Sequence, residues 1–185
     1  MGASALLLLG AALPALAQER AMKPSSSAKA LVVYFSRSGN PRVIAGTIQR
    51  ERGTDIFEIK AATPYPEDYE ATVERARIER DKGIEPPLAQ RVGNLDQYDT
   101  IYLGFPIWGE TAPPVIRSFL RSHDLKGKTI HPFITHGGYG PGTSLSVLAS
   151  HAPGAKIVQA FVLEADQEKR TISKVDSWLE ETAAN

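Results

Sequence analysis

The chain has 185 residues, 42% of them hydrophobic and 23% charged, a profile that fits one ordinary globular domain with a real core. Its 21 basic side chains equal its 21 acidic ones, which removes the electrostatic case for nucleic acid or an anionic membrane surface as partner. It contains no cysteine, so disulfides, thiolate catalysis, iron–sulfur clusters and thiolate-held zinc are excluded.

Residues 5–12 are apolar and include Leu6 to Leu9 in sequence. Ala15-Leu16-Ala17 then gives a small-x-small cleavage signature before the polar Gln18-Glu19-Arg20. This pattern predicts a secretory signal peptide over residues 1–17. The apolar run is shorter than the roughly 20 residues a transmembrane helix needs. The expectation is an exported, periplasmic protein with no stable membrane insertion after signal removal. No twin arginine precedes the run, so the chain is expected to cross unfolded and to take up any cofactor outside the cytoplasm. Residues 18–29 are rich in Ser, Pro and Ala and read as a flexible lead-in, leaving 30–185 as the folded domain.

The segment Ala30 to Phe35 is a short continuous apolar run, as expected of a strand buried on both faces. It ends at Ser36-Arg37-Ser38-Gly39-Asn40, after which Pro41 to Glu51 reads as a helix with Asn40 as N-cap and Pro41 in the first turn. Val43, Ile44, Thr47 and Ile48 would share its inner face. Asp55 to Lys60 reads as a second strand. Pro66 to Lys82 reads as a second helix with a thin apolar face (Tyr69, Val73, Ala76), and its charged stretch from Glu74 to Lys82 as a solvated surface. After a loop carrying Pro86-Pro87, strand-like runs at 100–105, 129–135 and 156–163 alternate with helical patterns at 113–121, 142–150 and 167–180. Five strands alternating with five helices predict an α/β fold, with a parallel sheet and helices on both of its faces.

In such sheets ligands sit at the carboxyl ends of the strands, near the point where strand order reverses. The first, third and fourth strands end in glycine-bearing segments. The first, Ser36 to Arg42, joins a strand to a helix N-terminus, where free backbone N–H groups and the helix dipole suit a phosphate. Ser36, Ser38 and Asn40 add side-chain donors, and Gly39 lets the backbone turn closely. It matches neither the Walker A nor the G-x-G-x-x-G pattern, and its amides and hydroxyls suit a phosphate monoester. The plain alternative is an ordinary capped turn. The second, Pro106-Ile107-Trp108-Gly109-Glu110, sets an aromatic surface beside a glycine, suited to stacking on a flat heteroaromatic ring. The alternative is a core tryptophan. The third, Thr135-His136-Gly137-Gly138-Tyr139-Gly140, offers a second aromatic, so that Trp108 and Tyr139 could sandwich one ring. The alternative there is a mobile surface loop.

The segments L-V-V-Y-F-S-R-S-G-N (31–40), Y-L-G-F-P-I-W-G (102–109) and T-H-G-G-Y-G (135–140) resemble, in order and spacing, the three FMN loops of the flavodoxin family. They most resemble a bacterial flavodoxin-like branch that often occurs as exported domains. The resemblance implies a doubly wound five-stranded sheet in the order 2-1-3-4-5 with FMN as cofactor. It places the cofactor-binding residues at Ser36 to Arg42, Pro106 to Glu110 and Thr135 to Gly140. It also implies a peptide near the flavin N5 that switches with redox state, matched here by Trp108–Gly109. Two departures stand out. Pro41 replaces the usual threonine, removing a hydroxyl and an N–H, a deficit that Arg37 or Arg42 could offset. The even charge balance also differs from the acidic surface of electron-carrier flavodoxins.

The four histidines, His123, His131, His136 and His151, show no metal-ligand spacing, and there is no G-x-S-x-G, so neither a metal site nor a serine hydrolase is expected. His136 is read as a hydrogen-bonded loop residue, and no catalytic residue is assigned. The leading expectation is an FMN-binding redox protein acting in electron transfer. Its partner would be a redox protein or a small-molecule donor or acceptor. An NAD(P)H-dependent quinone or flavin reductase on the same fold, and a non-redox flavin-binding module, are the alternatives.

Overall fold

A computed structural model describes residues 29–164 and 168–183. The expected signal peptide and nearly all of the lead-in lie outside the described residues.

The elements run β1 (Ala30–Tyr34), α1 (Asn40–Arg52), β2 (Asp55–Glu58), α2 (Tyr69–Asp81), β3 (Thr100–Pro106), α3 (Pro114–Ser122), β4 (Thr129–His136), α4 (Ser144–His151), β5 (Lys156–Ile157), β6 (Phe161–Glu164) and α5 (Glu168–Ala183). All strand pairs are parallel, in the order β2-β1-β3-β4-β5, with β6 also pairing β4. The expected sheet order is therefore present.

The fifth strand is broken in two, contrary to the single run expected over 156–163. Ile130 pairs with Ile157 and Phe133 with Phe161, so one extra residue is fitted into the outer strand. Pro132 explains the break. The Ile130 carbonyl accepts from Val158 N at 3.0 Å, so residue 132, two along, turns its nitrogen to the same side. A proline nitrogen has no hydrogen to donate, and the ladder yields there to a bulge.

Each sheet face carries its own apolar layer. On one, Leu31, Val33, Ile101 and Leu103 meet Ile116 and Phe119 of α3, with Leu148 of α4. On the other, Val32 and Tyr102 meet Ile44 and Ile48 of α1, with Val175 and Trp178 of α5. The alternation along β1 and β3 sends successive side chains into opposite layers, which is why both strands read as unbroken apolar runs. Gly104 is required by this packing. A Cβ there would lie 1.8 Å from the Phe133 ring on the neighbouring strand.

Two helix starts differ from expectation. Gly39, at φ +102°, holds the cap position of α1, and Asn40 is already helical. No side chain caps this end. α2 begins at Tyr69 rather than Pro66, because Asp68 is the cap and its carboxylate accepts from Ala71 N at 2.8 Å. Val43 is 39% exposed and leaves the expected inner face of α1 to Ile44, Thr47 and Ile48. Among the described residues no helix is long and apolar enough to cross a membrane, and no group of side chains is placed to hold a metal ion.

Candidate functional site

The loops after β1, β3 and β4 emerge side by side, because those three strands are neighbours in the sheet. The chain order reverses between β1 and β3, so the three glycine-bearing segments meet at the switch point.

In the first loop, Ser36 Oγ accepts from Gly39 N at 3.1 Å, and Gly39 O accepts from Val43 N at 3.1 Å. The loop is thus closed by its own serine, with Arg37 and Ser38 exposed at its tip. Pro41 is buried in the first turn of α1. Both arginines are engaged elsewhere. Arg37 donates to Glu67 O at 2.7 Å and lies 5.6 Å from the Tyr69 ring centre, while Arg42 pairs with Glu58. A contribution from either to a phosphate would require leaving these partners.

In the second loop, Trp108 N donates to Thr111 O at 3.0 Å, closing a turn in which Gly109 and Glu110 stand at φ +58° and +62°. Positive φ at both central residues is the type I′ pattern. Such a backbone is free for glycine but strained by about 1 kcal/mol for glutamate. The central peptide of this turn is Gly109–Glu110, one residue on from the expected Trp108–Gly109. Turning it over would return Glu110 to ordinary negative φ.

The third loop is tied to the second. Ile107 N donates to Thr135 O at 2.8 Å and Thr143 N to Glu110 O at 2.9 Å. Thr143 Oγ1 donates to Thr111 Oγ1 at 3.0 Å. Gly142 packs so closely that a Cβ on it would sit 1.9 Å from Glu110 O. His136 Nδ1 accepts from Gly138 N at 3.0 Å, which leaves the ring proton of the neutral imidazole on Nε2. Tyr139 is 86% exposed, so the expected sandwich has one aromatic standing open to solvent and one held in place. The held one is Trp108, against which the rings of Phe35 and Tyr65 pack edge-on at 5.1 and 4.8 Å.

Tyr65 brings in residues that the sequence did not single out. Its hydroxyl donates to Glu79 at 2.7 Å, and the Arg75 guanidinium stacks 4.2 Å above its ring centre. Arg75 also pairs with Glu79 at 2.8 Å and donates to Pro64 O. Burial, with the Glu79 carboxylate second, pushes the Tyr65 hydroxyl well above the ordinary phenol range, so it stays protonated. Glu79 is only 6% exposed, which corrects the reading of residues 74–82 as a wholly solvated face. The available signal was Arg75 and Glu79 at i, i+4 spacing below a tyrosine, a pattern common enough on exposed helices to pass unnoticed.

The donor set suits a phosphorylated aromatic ligand. A Cβ on Gly39, Gly137 or Gly140 would meet nothing within 4 Å, so the first and third loops leave backbone open beside them. These are the groups that a phosphate monoester and the edge of a planar ring require.

A flavodoxin family model matches residues 29–182, and the chain belongs to that family. A protein of Bacteroides eggerthii described as a flavoprotein is 32% identical, with a TM-score of 0.71 over 84% of this chain and 98% of its own. A flavoprotein of Lactobacillus acidophilus, solved in complex with FMN, is 23% identical with a TM-score of 0.65, covering 82% and 98% of the two chains. An oxidised flavodoxin from Bacillus cereus shares the fold at 21% identity and a TM-score of 0.52, covering 82% and 94%. No curated protein matches the chain.

Proposed function

We propose that this protein binds FMN at the three-loop site and acts in electron transfer outside the cytoplasm. The observation that carries the reading is the convergence of residues 36–42, 106–110 and 135–140 on one edge of the sheet, at its switch point. The FMN complex of the Lactobacillus relative supports the choice of ligand. Backbone amides of the Ser36–Asn40 loop would receive the phosphate, assisted by the dipole of α1. Trp108, braced by Phe35 and Tyr65, would present an aromatic surface to the ring, and Tyr139 would close from the solvent side. The Gly109–Glu110 peptide would supply a donor or an acceptor to the ring edge according to its orientation. Bound FMN supplies one- and two-electron transfer, and the protein sets its potential through stacking, hydrogen bonds and charge.

The purified protein, with or without residues 1–17, is expected to show flavin absorption and to release FMN on denaturation. No flavin band after FMN is added overturns the reading. The even charge balance favours a second reading, a reductase rather than a carrier that steers by acidic charge. Fast reduction by NAD(P)H followed by quinone turnover selects it, whereas reduction only by a protein donor selects the carrier. Export rests on residues 5–17, and the test is the N-terminal mass and cell fraction of the mature protein.

A further inference from the structure

The β2–α2 segment flanks the candidate site and touches two of its loops. At one end Glu67 and Tyr69 hold Arg37 of the first loop. Beside them Tyr65 braces Trp108, and at the other end Arg80 lies on Gly109. The last contact is close. A Cβ on Gly109 would sit 2.0 Å from Arg80 Nη1 and 3.1 Å from its Cζ, so the guanidinium occupies the space that any side chain at 109 would fill. Asp81 engages the other two nitrogens, accepting from Arg80 Nε at 3.1 Å and pairing with Nη2 at 3.0 Å. Nη1 is therefore the corner turned to the loop. Asp81 also pairs with Arg77 at 3.3 Å, so its single negative charge is shared between two guanidinium groups.

We propose that Arg80 is a tuning residue that raises the midpoint potential of the bound flavin. The proposal rests on FMN occupying the three-loop site. Reduced FMN carries negative charge on its ring near neutral pH, whereas the oxidised ring is neutral. A fixed cation against the turn that borders the ring favours the reduced form. Arg80 transfers neither electron nor proton. The electrons come from an external one-electron reductant, and the guanidinium stays charged throughout. Acidic residues around a flavin oppose formation of the reduced anion. Here the turn itself carries Glu110, and Arg80 sets a cation against the adjacent Gly109 that offsets it.

The experiment is a dithionite titration of the FMN-loaded wild type, Arg80→Gln, Arg80→Lys and Asp81→Asn, at low and high salt. In Arg80→Gln the midpoint falls, and the preference for reduced over oxidised FMN drops several-fold. Arg80→Lys restores most of the difference because the charge is kept. Asp81→Asn moves the midpoint the other way, since a counter-charge is lost. Arg80 is 31% exposed, so added salt narrows the gap between wild type and Arg80→Gln. Equal midpoints in wild type and Arg80→Gln, with FMN bound to both, overturn the assignment. So does a lysine variant as low as the glutamine one, which would mark packing rather than charge as the cause. A wild type that binds no FMN overturns the cofactor reading itself, and the absorption spectrum recorded before titration separates that outcome from the others.

Discussion

Pro41 is the residue on which phosphate affinity is expected to turn. It is buried in the first turn of α1, where the N–H groups of a helix have no internal partner and are free for an anion. Proline presents none there. Neither Arg37 nor Arg42 stands free to make up the loss, the first being held at the start of α2 and the second by Glu58. Pro41→Thr supplies one N–H and one hydroxyl and is expected to bind FMN several-fold more tightly, as read by quenching of flavin fluorescence. Unchanged or weaker binding would show that residue 41 does not face the phosphate. Glu79 gives the complementary lesson. In sequence it belongs to a run of surface charges, yet it is buried and holds Tyr65 against Trp108.

α2 is the element most exposed to failure. It buries only Thr72, Ala76 and Glu79, while Tyr69 and Val73 stand 63% and 43% exposed. With so little apolar packing, its start depends strongly on the cap at Asp68. Asp68→Ala is expected to cost about 1 kcal/mol, seen as a melting temperature lowered by roughly 2–4 °C. Because α2 carries Arg75 and Glu79, which hold Tyr65 against Trp108, the same change is expected to weaken FMN binding. A loss of stability with unchanged affinity would separate the helix from the site. The fifth strand shows a different limit of pattern reading. Residues 156–163 are apolar enough for one strand, but its continuity was decided by Pro132 on the neighbour.

For the whole molecule, two half-buried histidines set the response to acid. Burial lowers the pKa of His131, on β4 against the Tyr102 ring, and Arg52 and Lys156 lower it further. Burial likewise lowers that of His123, with Arg91 adding to it and the Phe119 carbonyl opposing. For such groups the unfolded chain takes up protons before the folded one as pH falls. Stability is therefore full above about 6.5 and declines as pH drops from there toward the folded-state values. Denaturant midpoints measured across this range are expected to fall with pH. His131→Phe, which keeps an aromatic ring beside Tyr102, is expected to flatten the decline. A profile identical to wild type would remove His131 from the account.

The α/β class, the parallel sheet and the family are all legible in the amino-acid order alone. Strands buried on both faces read as unbroken apolar runs, and strand ends at a switch point collect glycine, both signals being local in the chain. The three glycine-bearing loops at the strand ends were legible for the same reason. Tertiary structure alone decided what stands behind them. Tyr65 reaches Trp108 and Arg80 reaches Gly109 across some 30 to 45 positions of sequence, a separation at which no periodicity carries information. The break opposite Pro132 likewise follows from a neighbour in space. Backbone hydrogen bonds and close packing are settled only when the chain is folded against itself.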